Sequence, residues 1–200
     1  MFYQTARNDH GLRHDPFKAL VAPRPIGWIS TLDREGRANL APYSFFNAVC
    51  DAPPMVMFSS LGWKDSVANI EATGEFVCNL ASLDLKDEMN ASSAAVAPGQ
   101  SEFELAGLAP ARSVCVRAPR VARAKAALEC RHLQTIRLTD LDGAQTGSWL
   151  VIGQVLGIHI ADEVLSGGRV DIGRLKPLAR LGYKDYCAVT EGFAMERPVV

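Results

Sequence analysis

Lys64-Asp65-Ser66 stands where a helix must begin. Val67, Ile70 and Glu71 follow at helical spacing and Gly74 supplies a stop, so residues 66–73 are predicted as a helix with Asp65 at its N-cap. A helix start presents N–H groups without intrahelical partners, at the positive end of the helix dipole. An ammonium and a hydroxyl at that point add a cation and a donor, which together suit a phosphate. The charge of Asp65 opposes an anion, unless its carboxylate caps the backbone while Lys64 and Ser66 face the ligand. The same residues also suit a capped surface helix that binds nothing.

A second group is Pro42-Tyr-Ser-Phe-Phe-Asn47, at the end of a strand. Asn47 offers a donor and an acceptor that match an amide-like heterocycle edge, and the aromatics could wall a flat ring. The alternative is that Phe45 and Phe46 are core while Ser44 and Asn47 belong to a turn. Arg24 and Trp28 form a third group, one able to contact an anion or sit on a strand edge, the other more typical of a core. The histidines His10, His14, His132 and His159 match no metal-site spacing and read as structural, with His132 held in reserve. No G-x-S-x-G elbow, Ser-His-Asp order, HExxH, P-loop or paired catalytic carboxylate stands out. No catalytic side chain and no metal site is assigned, so any enzymatic reactivity is expected from a bound cofactor.

These residues must be positioned by a chain of 200 residues, enough for one domain spanning 1–200. Its 21 Lys and Arg against 22 Asp and Glu give a net charge of −1, so no global field draws nucleic acid or an anionic membrane. Any anionic ligand must be held locally. The N-terminus lacks an apolar signal segment, and the longest apolar stretch, 150–160, is interrupted by Gly153, Gln154, Gly157 and His159 and is too short to span a bilayer. A cytoplasmic protein is expected. The five cysteines include no CxxC, which argues against a disulfide framework or a zinc site.

Strand patterns cover 26–32, 38–43, 55–60, 75–80, 128–138 and 149–160, with turns at Asp33-Arg34-Glu35-Gly36 and Asp142-Gly143. In 128–138 the inward candidates are Leu128, Cys130, Leu133, Ile136 and Leu138, with one register shift that suits a bulge. A second short helix is predicted over 84–91, and 92–113 is a long excursion with about one helical turn near Phe103. Many short strands with few helices point to a mainly β fold, a β-barrel with helical decoration. No GxGxxG follows a strand, which disfavours a Rossmann site.

Together the segments RPIGWIST (24–31), LAPYSFFNAV (40–49), PPMVMFS (53–59), KDSVANI (64–70) and GEFVCNL (74–80) resemble the flavin reductase-like family, whose fold is an FMN-binding split barrel. The order continues through Met89-Asn90, EFELAGL (102–108), ALEC (127–130) and RLKPLARLGYKDY (174–186), covering a core of about 15–187. The resemblance implies a six-stranded, partly opened barrel that forms a homodimer with FMN at the interface. By position, Ser44, Phe45 and Asn47 would meet the flavin and its ribityl chain. Ser59, Lys64 and Ser66, with Asp65 beside them, would hold the phosphate or the adjoining chain, and Trp28, Ile29 and Ser30 would line the ring by backbone or side chain. Arg180 and Tyr183 would close the site. The activity implied is NAD(P)H:flavin oxidoreduction, with NAD(P)H as donor and a monooxygenase or other redox protein as partner. A flavoredoxin-like electron carrier and a non-catalytic flavin-binding module are the alternatives.

Overall fold

The fold was analysed in a computed structural model, which describes residues 1–95 and 100–199. Its main sheet has seven antiparallel strands: β1 (Gly27–Leu32), β2 (Ala38–Tyr43), β3 (Phe46–Asp51), β4 (Pro54–Leu61), β5 (Glu75–Leu80), β6 (Ala126–Thr139) and β7 (Gln145–Ile160). Their order is β2-β1-β5-β6-β7-β4-β3. The two edge strands, β2 and β3, are consecutive in the chain, so the sheet curls until its edges meet at Ser44-Phe45 without pairing. This is a split barrel. It has one strand more than the resemblance implies, because 46–51 forms an edge strand rather than a turn.

The curl needs sharp bends in the long β6–β7 hairpin. Its register shifts between Ile152 and Gly153 and again between Val155 and Gly157, as bulges do. At Gly153 a Cβ would collide with the Phe76 ring, so the glycine lets an aromatic fill the barrel. Inside lie Ile29, Phe58, Val67, Ile70, Phe76 and Val151. Tyr43 joins them, its ring 4.6 Å from that of Phe58.

Successive strand residues face opposite sides of a sheet. Ile29 of β1 points into the barrel, while Trp28 points into a second core with Leu40, Leu85, Met89, Phe103 and Val121. That core is roofed by α2 (Lys86–Ala91) and α3 (Glu102–Leu105). β1 is therefore covered on both faces. The single turn near Phe103 forms as predicted, and residues 96–99 of the 92–113 excursion lie outside the described residues.

Helix α1 (Asp65–Thr73) closes one end of the barrel, burying Val67 and Ile70. Gly74 terminates it at φ 74°, its N–H donating to the Ile70 carbonyl at 2.7 Å. The N-cap is Lys64 rather than Asp65, and no side chain caps the helix. Asp65 is already helical, so its carboxylate does not satisfy the first-turn N–H groups.

Strand β6 corrects the predicted inward set. Leu133 and Leu138 are exposed, whereas Ala127 and Glu129 are buried, because residues 113–118 cross the other face of the strand. The Glu129 carboxylate accepts the N–H groups of Val114 (2.8 Å), Cys115 and Val116 (3.2 Å), and also meets His159 Nε2. Burial pushes its pKa up, but the bonds from His159 and from the Val114 and Cys115 N–H groups outweigh that and hold it below its ordinary value.

Candidate functional site

At the start of α1 a cavity of about 410 Å³ opens between β2, the helix and residues 92–95. Asn39, Ala41 and Tyr43 of β2 share one face of the strand and line it, together with Lys64, Ser66 and Glu102. Ser66 is buried, and its Oγ accepts from Asn39 Nδ2 at 3.1 Å, which leaves the hydroxyl proton to donate elsewhere. Tyr43 is 7% exposed, and its buried hydroxyl, beside Ser66 and Ser60, makes no hydrogen bond of normal geometry among the described residues. Burial raises its pKa, so it stays a neutral donor. Lys64 is exposed at the rim and forms no ion pair among the described residues. The first-turn N–H groups of α1 have no intrahelical partner. This donor set, with an orphaned phenol and an unpaired ammonium, fits a phosphate ester.

Glu102 complicates the electrostatics. It is 7% exposed, lines the same cavity and accepts the Leu40 N–H at 3.2 Å. Burial and then the charge of Asp65 raise its pKa, against the pull of the hydrogen bonds it accepts. A protonated Glu102 would donate to an anion; an ionised one would oppose it.

The fold brings Lys64, Asp65 and Ser66 together at one cavity. Ser44, Phe45, Asn47 and Ser59 form a second group along the β3–β4 edge, where the Ser59 N–H donates to the Phe45 carbonyl at 2.8 Å. Phe45 is 39% exposed, and Asn47 is exposed with its Oδ1 turned back to the Ala48 N–H at 2.9 Å. Ser44 lies between Tyr43 of the cavity and Phe45 of this edge. Arg24 adjoins the group, with its guanidinium 5.8 Å from the Phe45 ring centroid. It is buried and donates to the carbonyls of Lys18, Val21 and Leu181, so it clamps both ends of the chain rather than an exposed anion.

Arg180 and Tyr183 lie beyond Arg24. Arg180 pairs across the strands with Arg24, stacks 4.3 Å from the Tyr186 ring centroid and donates to the Tyr183 carbonyl at 2.6 Å. Its guanidinium thereby shapes the 180–186 turn. Tyr183 sits in the left-handed region at φ 56°, with half its side chain exposed and His14 against its ring at 5.5 Å.

Trp28, Ile29 and Ser30 are not brought to either group. Each is fully buried, and β1 is paired on both sides. Trp28 Nε1 donates to Ser92 Oγ at 2.9 Å, and Ser30 Oγ accepts from Asn79 Nδ2 at 2.9 Å and donates to the Pro119 carbonyl. Their side chains are structural, because both faces of β1 are roofed.

Sequence reasoning missed Asn39 and Glu102, and it placed Tyr43 in the aromatic group without its hydroxyl at this cavity. The period-two spacing of 39, 41 and 43 was the available signal for Asn39 and Tyr43. Glu102 gave none, since only the tertiary fold sets it against Leu40.

The cysteines are all free, and no group of His, Cys, Asp or Glu among the described residues could hold a metal. No helix among them is long and apolar enough to cross a membrane.

Comparisons with known proteins agree with this architecture. An uncharacterized protein of Aquifex aeolicus is 38% identical over 173 residues, which cover 84% of this chain and 85% of the relative. Nitrilotriacetate monooxygenase component B from Bacillus cereus superposes with a TM-score of 0.86 at 31% identity, covering 98% of both chains. The 2-nitrobenzoate 2-nitroreductase of Pseudomonas fluorescens superposes with a TM-score of 0.85 at 26% identity, covering 99% of this chain and 96% of that one. The profile of the flavin reductase like domain matches residues 20–183, and the chain belongs to that family.

Proposed function

We propose that this protein is an NAD(P)H:flavin oxidoreductase that works as a homodimer, with FMN in the groove between two copies. The observation that carries the reading is the α1 cavity, where Lys64, the free proton of Ser66 and the orphaned Tyr43 hydroxyl converge on a space suited to a phosphate ester. FMN, when bound there, supplies the redox chemistry as an acceptor of hydride and donor of electrons.

The chain's own residues bind, orient and exclude water. Lys64, Ser66 and the first-turn N–H groups hold the phosphate. Ser44 and Asn47 provide directional hydrogen bonds, and Phe45 provides an apolar wall. These last residues lie on the exposed edge strand β3 or just before it, so a second copy is needed to enclose a ring placed there, which supports the dimer. Arg180 and Tyr183 border the same edge through Arg24. No side-chain base is required for hydride transfer. The likeness to a monooxygenase component supports a role as the reductase half of a two-component system. Five unpaired thiols suit a cytoplasmic setting.

The test is NADH and NADPH oxidation by purified protein with FMN. FMN-dependent turnover with either nucleotide is expected. Retention of FMN without turnover would instead mark an electron carrier, and failure to bind FMN would refute the reading.

A further inference from the structure

Next to the α1 cavity the surface carries an aromatic and cationic platform that the flavin reading leaves without a role. Trp63 immediately precedes Lys64 and is 49% exposed. It meets Trp149 edge to face, with ring centroids 4.6 Å apart and planes at 76°. The Arg137 guanidinium lies 5.2 Å from the Trp149 ring. We propose that Trp63, Trp149 and Arg137 form a subsite for an adenosine diphosphate group, contiguous with the flavin-phosphate end of the α1 cavity.

The platform is held in place before any ligand arrives. Gly62 takes φ 88°, its N–H donates to the Gly147 carbonyl at 2.7 Å, and its carbonyl accepts from Ser60 Oγ at 2.9 Å. These bonds fix Trp63 against β7. Arg137 is fixed likewise: Nε donates to the Thr146 carbonyl at 3.1 Å, and Nη1 donates to Gln145 Oε1. Its Nη2 has no partner among the described residues and remains a donor for an anion. Rigid aromatic surface costs little entropy on binding.

The chemistry matches one class of ligand. Adenine has a flat π-face that stacks on indole, and a diphosphate seeks cations with directional N–H groups. Here Arg137 lies over Trp149, and Trp63 immediately precedes Lys64 in the chain. A group on Trp63 is one residue removed from the anchor of the flavin phosphate. Two sources present it: the adenosine half of FAD, which continues from that phosphate, and the adenosine half of a pyridine nucleotide. The subsite's placement rests on the flavin reading, but its affinity for ADP does not.

The experiment is calorimetric titration of the full-length protein with ADP, then equilibrium dialysis with FMN and with FAD, and measurement of KM for NADH. The proteins are wild type, Trp63→Ala, Trp63→Phe and Arg137→Gln. ADP should bind wild type. Trp63→Ala and Arg137→Gln should each weaken it about tenfold, and Trp63→Phe should recover most of the loss. FMN affinity should be unchanged in all three variants. A parallel loss for FAD assigns the subsite to FAD, and a raised KM for NADH with unchanged FAD affinity assigns it to the pyridine nucleotide. The proposal is overturned if ADP does not bind, or if Trp63→Ala leaves ADP affinity intact and shifts the monomer–dimer equilibrium instead. Failure of wild type to bind FMN would sink the flavin reading while ADP still tests the platform.

Discussion

Replacing Glu129 with alanine would remove the acceptor for three consecutive N–H groups and for His159 at once. The carboxylate has no exposed surface, so water cannot substitute without opening the 113–118 crossing. Breaking one partner out of a buried charged pair costs about 3–5 kcal/mol. For a chain of this size that corresponds to a fall in Tm of roughly 6–20 °C. Glu129→Gln should be milder. Its amide oxygen can still accept the Cys115 and Val116 N–H groups, but its NH2 then faces the Val114 N–H, and one lost bond costs about 1–3 kcal/mol. Because the folded pKa of Glu129 lies below its ordinary 4.5, its stabilisation is complete above that pH and is lost as pH falls through the folded value. Urea denaturation of the flavin-free protein at neutral pH and again near pH 3 measures both effects. Stability of Glu129→Ala within about 1 kcal/mol of wild type at neutral pH, or a wild-type advantage that does not shrink between neutral pH and pH 3, would refute the reasoning.

Lys64→Ala should weaken FMN by about 1.5–3 kcal/mol and leave riboflavin, which has no phosphate, nearly unaffected; equilibrium dialysis with both flavins checks this. Glu102→Gln keeps an acceptor for the Leu40 N–H and removes a charge from the cavity. It should tighten FMN at neutral pH, with no gain below the carboxyl's raised pKa, where wild type is already protonated; FMN titrations across that range decide it. Gly153→Ala should destabilise by about 1–3 kcal/mol, because the new methyl meets the Phe76 ring and the backbone of Arg131; thermal denaturation measures the loss.

Local rules were enough where one residue type forces one conformation. Gly74 stops α1, and Asp33 to Gly36 turn the first hairpin. The start of α1, with Lys64 and Ser66 beside it, was legible for the same reason, because a helix start is a local feature. What escaped depends on the second layer. Ser30 and Trp28 resemble ligand contacts until α2, α3 and residues 119–121 are seen to roof β1. Glu129 sits in an alternating strand pattern that points it to solvent, and only the crossing loop makes it a buried anchor. Strand β3 was hidden because Ser44 and Asn47 favour turns, while its pairing with β4 is set by register across Phe46 and Phe58.

The most direct measurement is the affinity of the wild-type protein for FMN against riboflavin in the same buffer. If the α1 cavity holds the phosphate, FMN binds at least about tenfold more tightly, as a charge-assisted contact requires. Equal affinities would contradict the account, because the start of α1 would then be an ordinary helix end that binds no phosphate.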